Sequence, residues 1–383
     1  MTKESAGRVR PKPLFFPAGC HLVLTRRQLL LGSGALIATS SRVDGRAFAA
    51  NVAVDGMAII REHATLADDP WVVAHGLRAM GRDFTIKGGR RAVDYLLESV
   101  LTTLTANGQT VLGFPIAVEV HPNAFLKTML EAGVALDHAF THQGRRRTLG
   151  DVVEGGRALL RPRLVSSLPN ALPWSLIALT RTTSPRRRQW TNAWGEPVDL
   201  DALVESALRL LEQASLPIAE AMRDARPETA QAPVHAFTCG GTHMVYGLLT
   251  AMHAGYTGKD RRERMQRQVD LLVWRLGADV DLIERFYQAP SLRGTAAASW
   301  LEIDSKLKLL GHAEECLALA ARHTVVTLTA AQQTQRRAAA ATLRRMLGDL
   351  EHRGLGEART LDRELYRQLV GDTCHARHGL SLA

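Results

Sequence analysis

Apolar residues recur at intervals of three and four almost everywhere after residue 55, and stretches that alternate apolar with polar are scarce. That period belongs to helices with one buried face, and it excludes a chain built mainly of sheets. The spacing predicts helices over 70–81, 89–106, 124–136, 149–160, 172–180, 199–225, 241–254, 260–288, 296–321, 323–353 and 360–371. Boundary residues agree with several of these. Asp68-Asp69-Pro70 places an N-cap acid before a first-turn proline, and Gly255 follows 241–254 as a stop. Residues 107–122, "NGQTVLGFPIAVEVHP", read as a strand or an extended loop. The fold class is all-α.

Ahead of this region, no residue from Gln28 to Ser41 is charged. The apolar part, "LLLGSGALIA", is far shorter than the roughly 20 residues a helix needs to cross a bilayer, so no permanent membrane span is expected. A basic stretch, a short apolar stretch and Ala47-Phe48-Ala49 form the grammar of an export signal cut after Ala49. Arg26-Arg27, set between Thr25 and Gln28-Leu29-Leu30, resembles the twin-arginine signal of bacteria. The resemblance implies the twin-arginine translocase as a partner during export, and a periplasmic or secreted destination. Residues 1–24 include Pro11, Pro13 and Pro17 and read as disordered; a translation start near Val23 would explain why the signal sits so deep.

Removing residues 1–49 leaves a helical domain, 50–383, long enough for one large core or for two lobes joined around the Pro-, Arg-, Ser- and Trp-rich segment 162–198. The removed segment holds eight Lys/Arg and two Asp/Glu, which leaves +4 of the whole chain's +10. Most of the basicity that would suit nucleic acid therefore leaves with the signal, and no nucleic-acid partner is expected. The triplets Arg145-Arg146-Arg147 and Arg186-Arg187-Arg188 read as solvated loops or as contacts to an anionic envelope partner, and Trp190 and Trp194 as loop packing or as a sugar platform. Three cysteines remain, Cys239, Cys316 and Cys374. An odd, widely spaced set excludes a disulfide scaffold.

"DDPWVVAHGLRAMGRD", "LPNALPWSLIALTRT" and "CGGTHMVYGLLTAMHAGY" share one plan: turn-forming residues, then a short apolar helix. Repeated units of this kind suggest an array of helical hairpins, since one hairpin cannot bury its own apolar face. "GGTHMVYGLLTAMHAGY" resembles the inner helices of α/α-toroids, the barrels of hairpins found in terpene cyclases and polysaccharide lyases. The resemblance implies a fold and no activity, because neither an Asp-rich cyclase signature nor a Cys-His-Gly zinc motif of the lanthionine cyclase type is present. In such a barrel the helix starts face one cavity, where His75, Cys239 and His243 would converge.

Every remaining cysteine has a histidine four positions away: Cys239 with His243, His312 with Cys316, Cys374 with His378; His138 and His142 repeat the spacing without sulfur. On a helix, such residues stand about 5–6 Å apart on one face, close enough to share an ion. Thiolate and imidazole together suit zinc or iron, and a catalytic site keeps one coordination position open. The metal candidates are Cys239, His243, His138 and His142, and the catalytic candidates Cys239, His243 and His75. Cys239, beside Gly240-Gly241 at a helix start, is equally placed to act as a nucleophile with His235 or His243 as base. The expected function is a metal- or thiol-assisted enzyme acting on an envelope or extracellular substrate such as a glycan. The rival is a non-catalytic helical binding or scaffold protein holding a small-molecule ligand, with cysteines that are merely buried. Phosphate-binding, dinucleotide, His-Glu-x-x-His, haem and serine-elbow motifs are absent.

Overall fold

A computed structural model describes residues 55–167, 169–226 and 232–382, so the export-signal segment 1–49 lies outside the described residues. Met57–His63 (α1) and Pro70–Met80 (α2) come first, and the Asp69 side chain accepts from the amides of Trp71 and Val72 to cap α2. Ala92–Tyr95 (α3) runs into a π-helical turn, Leu96–Val100. There the helix expected over 89–106 ends. Thr102–Ala106 (β1) instead pairs antiparallel with Gln109–Gly113 (β2), because β-branched Thr102, Thr103 and Thr105 suit a pleated surface better than a helix.

Ile116–Glu119 (α4) and Ala124–Glu131 (α5) lead to the hairpin Ala139–His142 (β3) with Arg145–Thr148 (β4). Leu149–Leu159 (α6), Pro162–Ser167 (α7) and Leu172–Thr182 (α8) follow, then the hairpin Gln189–Thr191 (β5) with Pro197–Asp199 (β6). The rest is helical: Leu200–Arg223 (α9), Thr242–His253 (α10), Arg261–Tyr287 (α11), Ala296–Arg322 (α12), Ala330–Arg353 (α13), Gly356–Leu361 (α14) and Arg363–Leu382 (α15). The helix read over 323–353 begins at Ala330, where Thr329 and Gln332 form a capping box. The helix read over 360–371 breaks at Asp362 and then continues to Leu382.

Six of these helices pack in a cycle: α2 on α5, α5 on α8, α8 on α10, α10 on α12, α12 on α15, and α15 back on α2. The three similarly built segments of the sequence supply α2, α8 and α10. Helices α9, α11 and α13 cover the outside of α8, α10, α12 and α15. Every residue of α10 from Thr242 to Met252 is buried, which is why that segment is apolar nearly all round. The closest approach is between α12 and α15. A Cβ on Gly311 would stand 3.1 Å from the Ala376 amide nitrogen, and one on Gly379 would stand 2.8 Å from that of Glu315. Side chains are excluded there, so the polar residues beside the glycines are pressed together. No described helix is long and apolar enough to cross a membrane.

Candidate metal centre

The N-terminal halves of α2, α5, α8, α10 and α15, with the middle of α12, surround a cavity of about 380 Å³. His75, Cys239 and His243 all line it. Cys239 sits in a turn, Thr238–Gly241, in which Cys239, Gly240 and Gly241 have φ of 51°, 63° and 83°. Glycine adopts that region freely, but an L-residue there costs on the order of 1–2 kcal/mol, so the surroundings must hold Cys239 in place. They do so from three sides. The Thr242 hydroxyl donates to the Cys239 carbonyl (2.8 Å), Arg275 donates to the Gly240 carbonyl (2.7 Å), and the Thr238 amide donates to Asn170 (2.7 Å).

The turn brings Cys239 to His243, one helical turn further on, and to His312 in the middle of α12. Their ligand atoms all lie within 4.8 Å of one another. A second triplet, His312, Glu315 and His375, meets the same limit and shares His312. Two buried His/Cys/Glu clusters thus have the geometry of a mononuclear or binuclear transition-metal site, of the zinc or iron kind.

The two clusters differ in what already satisfies them. Glu315 takes bonds from Arg78 (3.0 Å), His375 (2.8 Å) and His378 (2.8 Å), and the Arg78 guanidinium holds its carboxyl well below the usual range despite full burial. An ion at Glu315 would have to displace that arginine. His243 has no such partner. Its ring is 6% exposed, joins none of the hydrogen bonds found among the described residues, and stacks edgewise on His312 at 4.5 Å. Burial pushes its pKa far below the ordinary value, with the neighbouring His312 and His375 adding to the effect. It is therefore a neutral imidazole with one ring-nitrogen lone pair to give, the form a metal requires. His312 goes the other way. Burial disfavours its charge, but Cys239, Asp372 (3.4 Å) and Glu315 (3.6 Å) overcome that and raise it well above the usual value.

Around this core, Lys308 pairs with Asp304 (3.1 Å) and lies 3.6 Å from Asp372. Asp304 is fully buried, and burial beside the Asp372 carboxylate raises it to about 7. Arg78 and Lys127 both reach Glu131, at 3.0 and 2.9 Å. Of the three ligands His312 alone faces carboxylates, Asp372 and Glu315, which orient it as outer partners do in metal sites.

The other candidates lie elsewhere. His75 lines the cavity, but its Nδ1 bonds the Trp71 carbonyl (2.7 Å), and burial lowers it to about 3. His138 precedes β3 and His142 ends it, so their four-residue spacing follows extended chain, about 13 Å long, and cannot bring them to one ion. His138 bonds Asp94 (3.2 Å) and His142 bonds Thr103 (3.2 Å). His235 is occupied by the Ala232 amide and by Asp279, which removes it as a base for Cys239. Cys316 and Cys374 are buried, with Cys316 donating to the Thr242 carbonyl at 3.2 Å. Trp190 and Trp194 pack under Arg157 and Arg161, which stand 4.8 Å over their rings. Sequence reasoning missed Glu315, His375 and Asp372. Their signal was a set of charged and imidazole groups inside two segments otherwise fit for a core, "GHAEEC" and "GDTCHARHG".

Comparison with known proteins finds no matching family model, no matching curated protein and no matching solved structure. The chemistry of the centre rests on its geometry.

Proposed function

We propose that the chain is an exported, metal-dependent enzyme that cleaves a bond in an envelope or extracellular substrate such as a glycan, with Cys239, His243 and His312 as its protein ligands. One observation carries this reading: a thiol and two imidazoles, two of the three buried, converge within 4.8 Å at the wall of a cavity of small-molecule size. Three ligands beside an open cavity match a catalytic site, which keeps a position for water or substrate, and not a closed structural site. The cycle of six helices with a further layer outside supports an α/α-toroid as the architecture. Export by the twin-arginine route, which moves folded proteins, suits a chain that acquires its ion before leaving the cell.

A thiol enzyme is the second reading, favoured by one feature. His312 stands between Cys239 and Asp372, the order of nucleophile, base and orienting acid. Cobalt substitution separates the two. Under the metal reading, the cobalt form of the mature protein shows a thiolate-to-metal absorption band that Cys239→Ser removes, and chelators abolish cleavage of envelope glycans. Iodoacetamide-sensitive cleavage by chelator-treated protein with no cobalt band would instead establish the thiol reading.

A further inference from the structure

The cavity has a second group of unusual residues, on the segment between α4 and α5 and away from Cys239 in sequence. Val120 has φ 67° and ψ −39°, and the His121 amide bonds the Glu119 carbonyl two residues back at 2.8 Å. This is a γ-turn of the strained kind, and a β-branched residue at positive φ is rare in it or anywhere. Such strain persists where the surroundings hold it, and the surroundings here are the cavity wall. Glu119, Val120 and His121 all line it. The His121 ring stacks on Trp174 at 3.9 Å, and Trp174 in turn lies 4.6 Å from His243, so one column of rings ties the turn to the ligand set.

Glu119 is 5% exposed, and no basic side chain bonds it among the described residues. Its oxygens accept from the amides of Asn123 (3.1 Å) and Phe125 (3.2 Å), with the Ala124 amide beside them. A carboxyl whose only task was to cap α5 could do so from the surface. This one lines the cavity, next to the strained turn.

We propose that Glu119 is the proton donor of this centre, presented by the γ-turn to the leaving group of a substrate bound at the Cys239, His243 and His312 side. The proposal deepens the enzymatic reading above and rests on it. In hydrolysis, the carbon gains the oxygen of one water and the bond to the leaving atom breaks with its electron pair. The Glu119 proton passes to that atom, and the carboxylate recovers the proton released by the water. Burial raises Glu119 to about 8 against the opposing amide bonds, so the acid form is present at neutral pH. The other titratable groups lining the cavity are His75 and Arg78 on α2, His121 in the turn, Lys127 on α5, Cys239 and His243 at the start of α10, Lys308 and His312 on α12, and Glu364, Arg367, Asp372 and His375 on α15. Arg78 and Lys127 are both committed to Glu131, and burial lowers His121 to about 4.

The test uses the mature chain after chelator treatment, so that it holds whether or not Cys239 binds metal. Cys239 is partly exposed to the cavity, and its alkylation by anionic iodoacetate and by neutral iodoacetamide is followed by mass spectrometry from pH 6 to 9.5. Thiol ionisation affects both reagents alike, so the ratio of the two rates reports charge in the cavity. The wild-type ratio is expected to fall about three- to ten-fold through a midpoint near 8 as Glu119 ionises. Loss of charge from His312 beside Cys239 adds to the fall in every variant, so the measure is the difference from Glu119→Gln, expected to be at least about two-fold, with Glu119→Asp keeping a displaced fall. A flat wild-type ratio, or a wild-type fall no larger than that of Glu119→Gln, overturns the proposal. Melting temperature gives the same answer without alkylation, because Glu119→Gln should remove part of the stability lost between pH 6.5 and 8, and an unchanged profile would also overturn it.

Discussion

His312 is the residue on which the centre turns, since both triplets include it, and the sequence marks it only as the partner of Cys316. Cys239 and His243 are brought together by the left-handed turn ahead of α10, and not by a shared helix face, whereas His312 reaches them from another helix. His312→Ala should therefore lower zinc affinity by at least about 100-fold, as loss of a ligand does, while His138→Ala and His142→Ala leave it within about two-fold. Competition with a chromophoric chelator measures both. Val120 makes a separate prediction. Replacing a β-branched residue by glycine normally costs about 0.5–1 kcal/mol in unfolded-state entropy. At φ 67° the released strain, on the order of 1–3 kcal/mol, outweighs that. Val120→Gly should leave the protein as stable or more stable by about 1 kcal/mol in urea unfolding, and a loss of more than 1 kcal/mol would contradict the strain.

At the scale of elements, the centre depends on how closely α12 and α15 approach. Gly379→Ala would set a methyl group 2.8 Å from the Glu315 amide nitrogen and 3.2 Å from the Glu314 carbonyl carbon, both backbone atoms that cannot swing aside. The helices must part by a few tenths of an ångström. We expect a loss of about 1–3 kcal/mol in urea unfolding, with weaker metal binding, because His312 and His375 shift on separate helices. An alanine variant with unchanged stability and affinity would show that the contact is not limiting. The same pair shows what the sequence could and could not reveal. Leu-rich α8 and α10 advertise themselves by apolar period, and their caps and glycines fix where they begin. Helix α15 buries Asp372, Thr373, Cys374, His375 and His378, so its inward face looks like a surface face and its second half goes unread. The Thr-rich end of the 89–106 segment failed for the opposite reason: its apolar spacing fits a helix, and β-branching with a Gly108 turn makes it a hairpin. The Cys239–His243 pair was legible because both ligands lie in one turn. Glu315, His375 and Asp372 were not, because what gives them meaning is a contact between helices about 60 residues apart.

For the whole molecule, the buried titratable groups set a pH of greatest stability. His75, His121, His243 and His375 are all lowered by burial, so the unfolded chain binds more protons than the folded one once pH falls below about 6.5. Stability from these four is complete above 6.5 and lost on acidification. Glu131 and Glu315, lowered by Arg78 against the pull of burial, add to that loss below about 4.5. His312, Glu119 and Asp304 are raised, so their contribution is complete at low pH and is lost as pH rises through their folded values, about 8 for Glu119 and about 7 for Asp304. Below 6.5 the four histidines oppose Glu119 and Asp304, since His312 acts only above its unfolded value, and stability falls on the acid side; above 6.5 the three raised groups lower it, opposed by Lys127, which burial lowers. The metal-free protein should melt highest near pH 6.5 and lower on both sides, as read by a calorimetric series. A melting temperature still rising at pH 8 would contradict this balance.

The proposed enzyme requires an ion at Cys239, His243 and His312. The measurement that meets it most directly is elemental analysis of the protein recovered after export, alongside Cys239→Ala and His243→Ala. About one zinc or iron per chain is expected in the native protein, with most of it lost in each variant. A native protein free of metal, or variants that keep the ion, would contradict it.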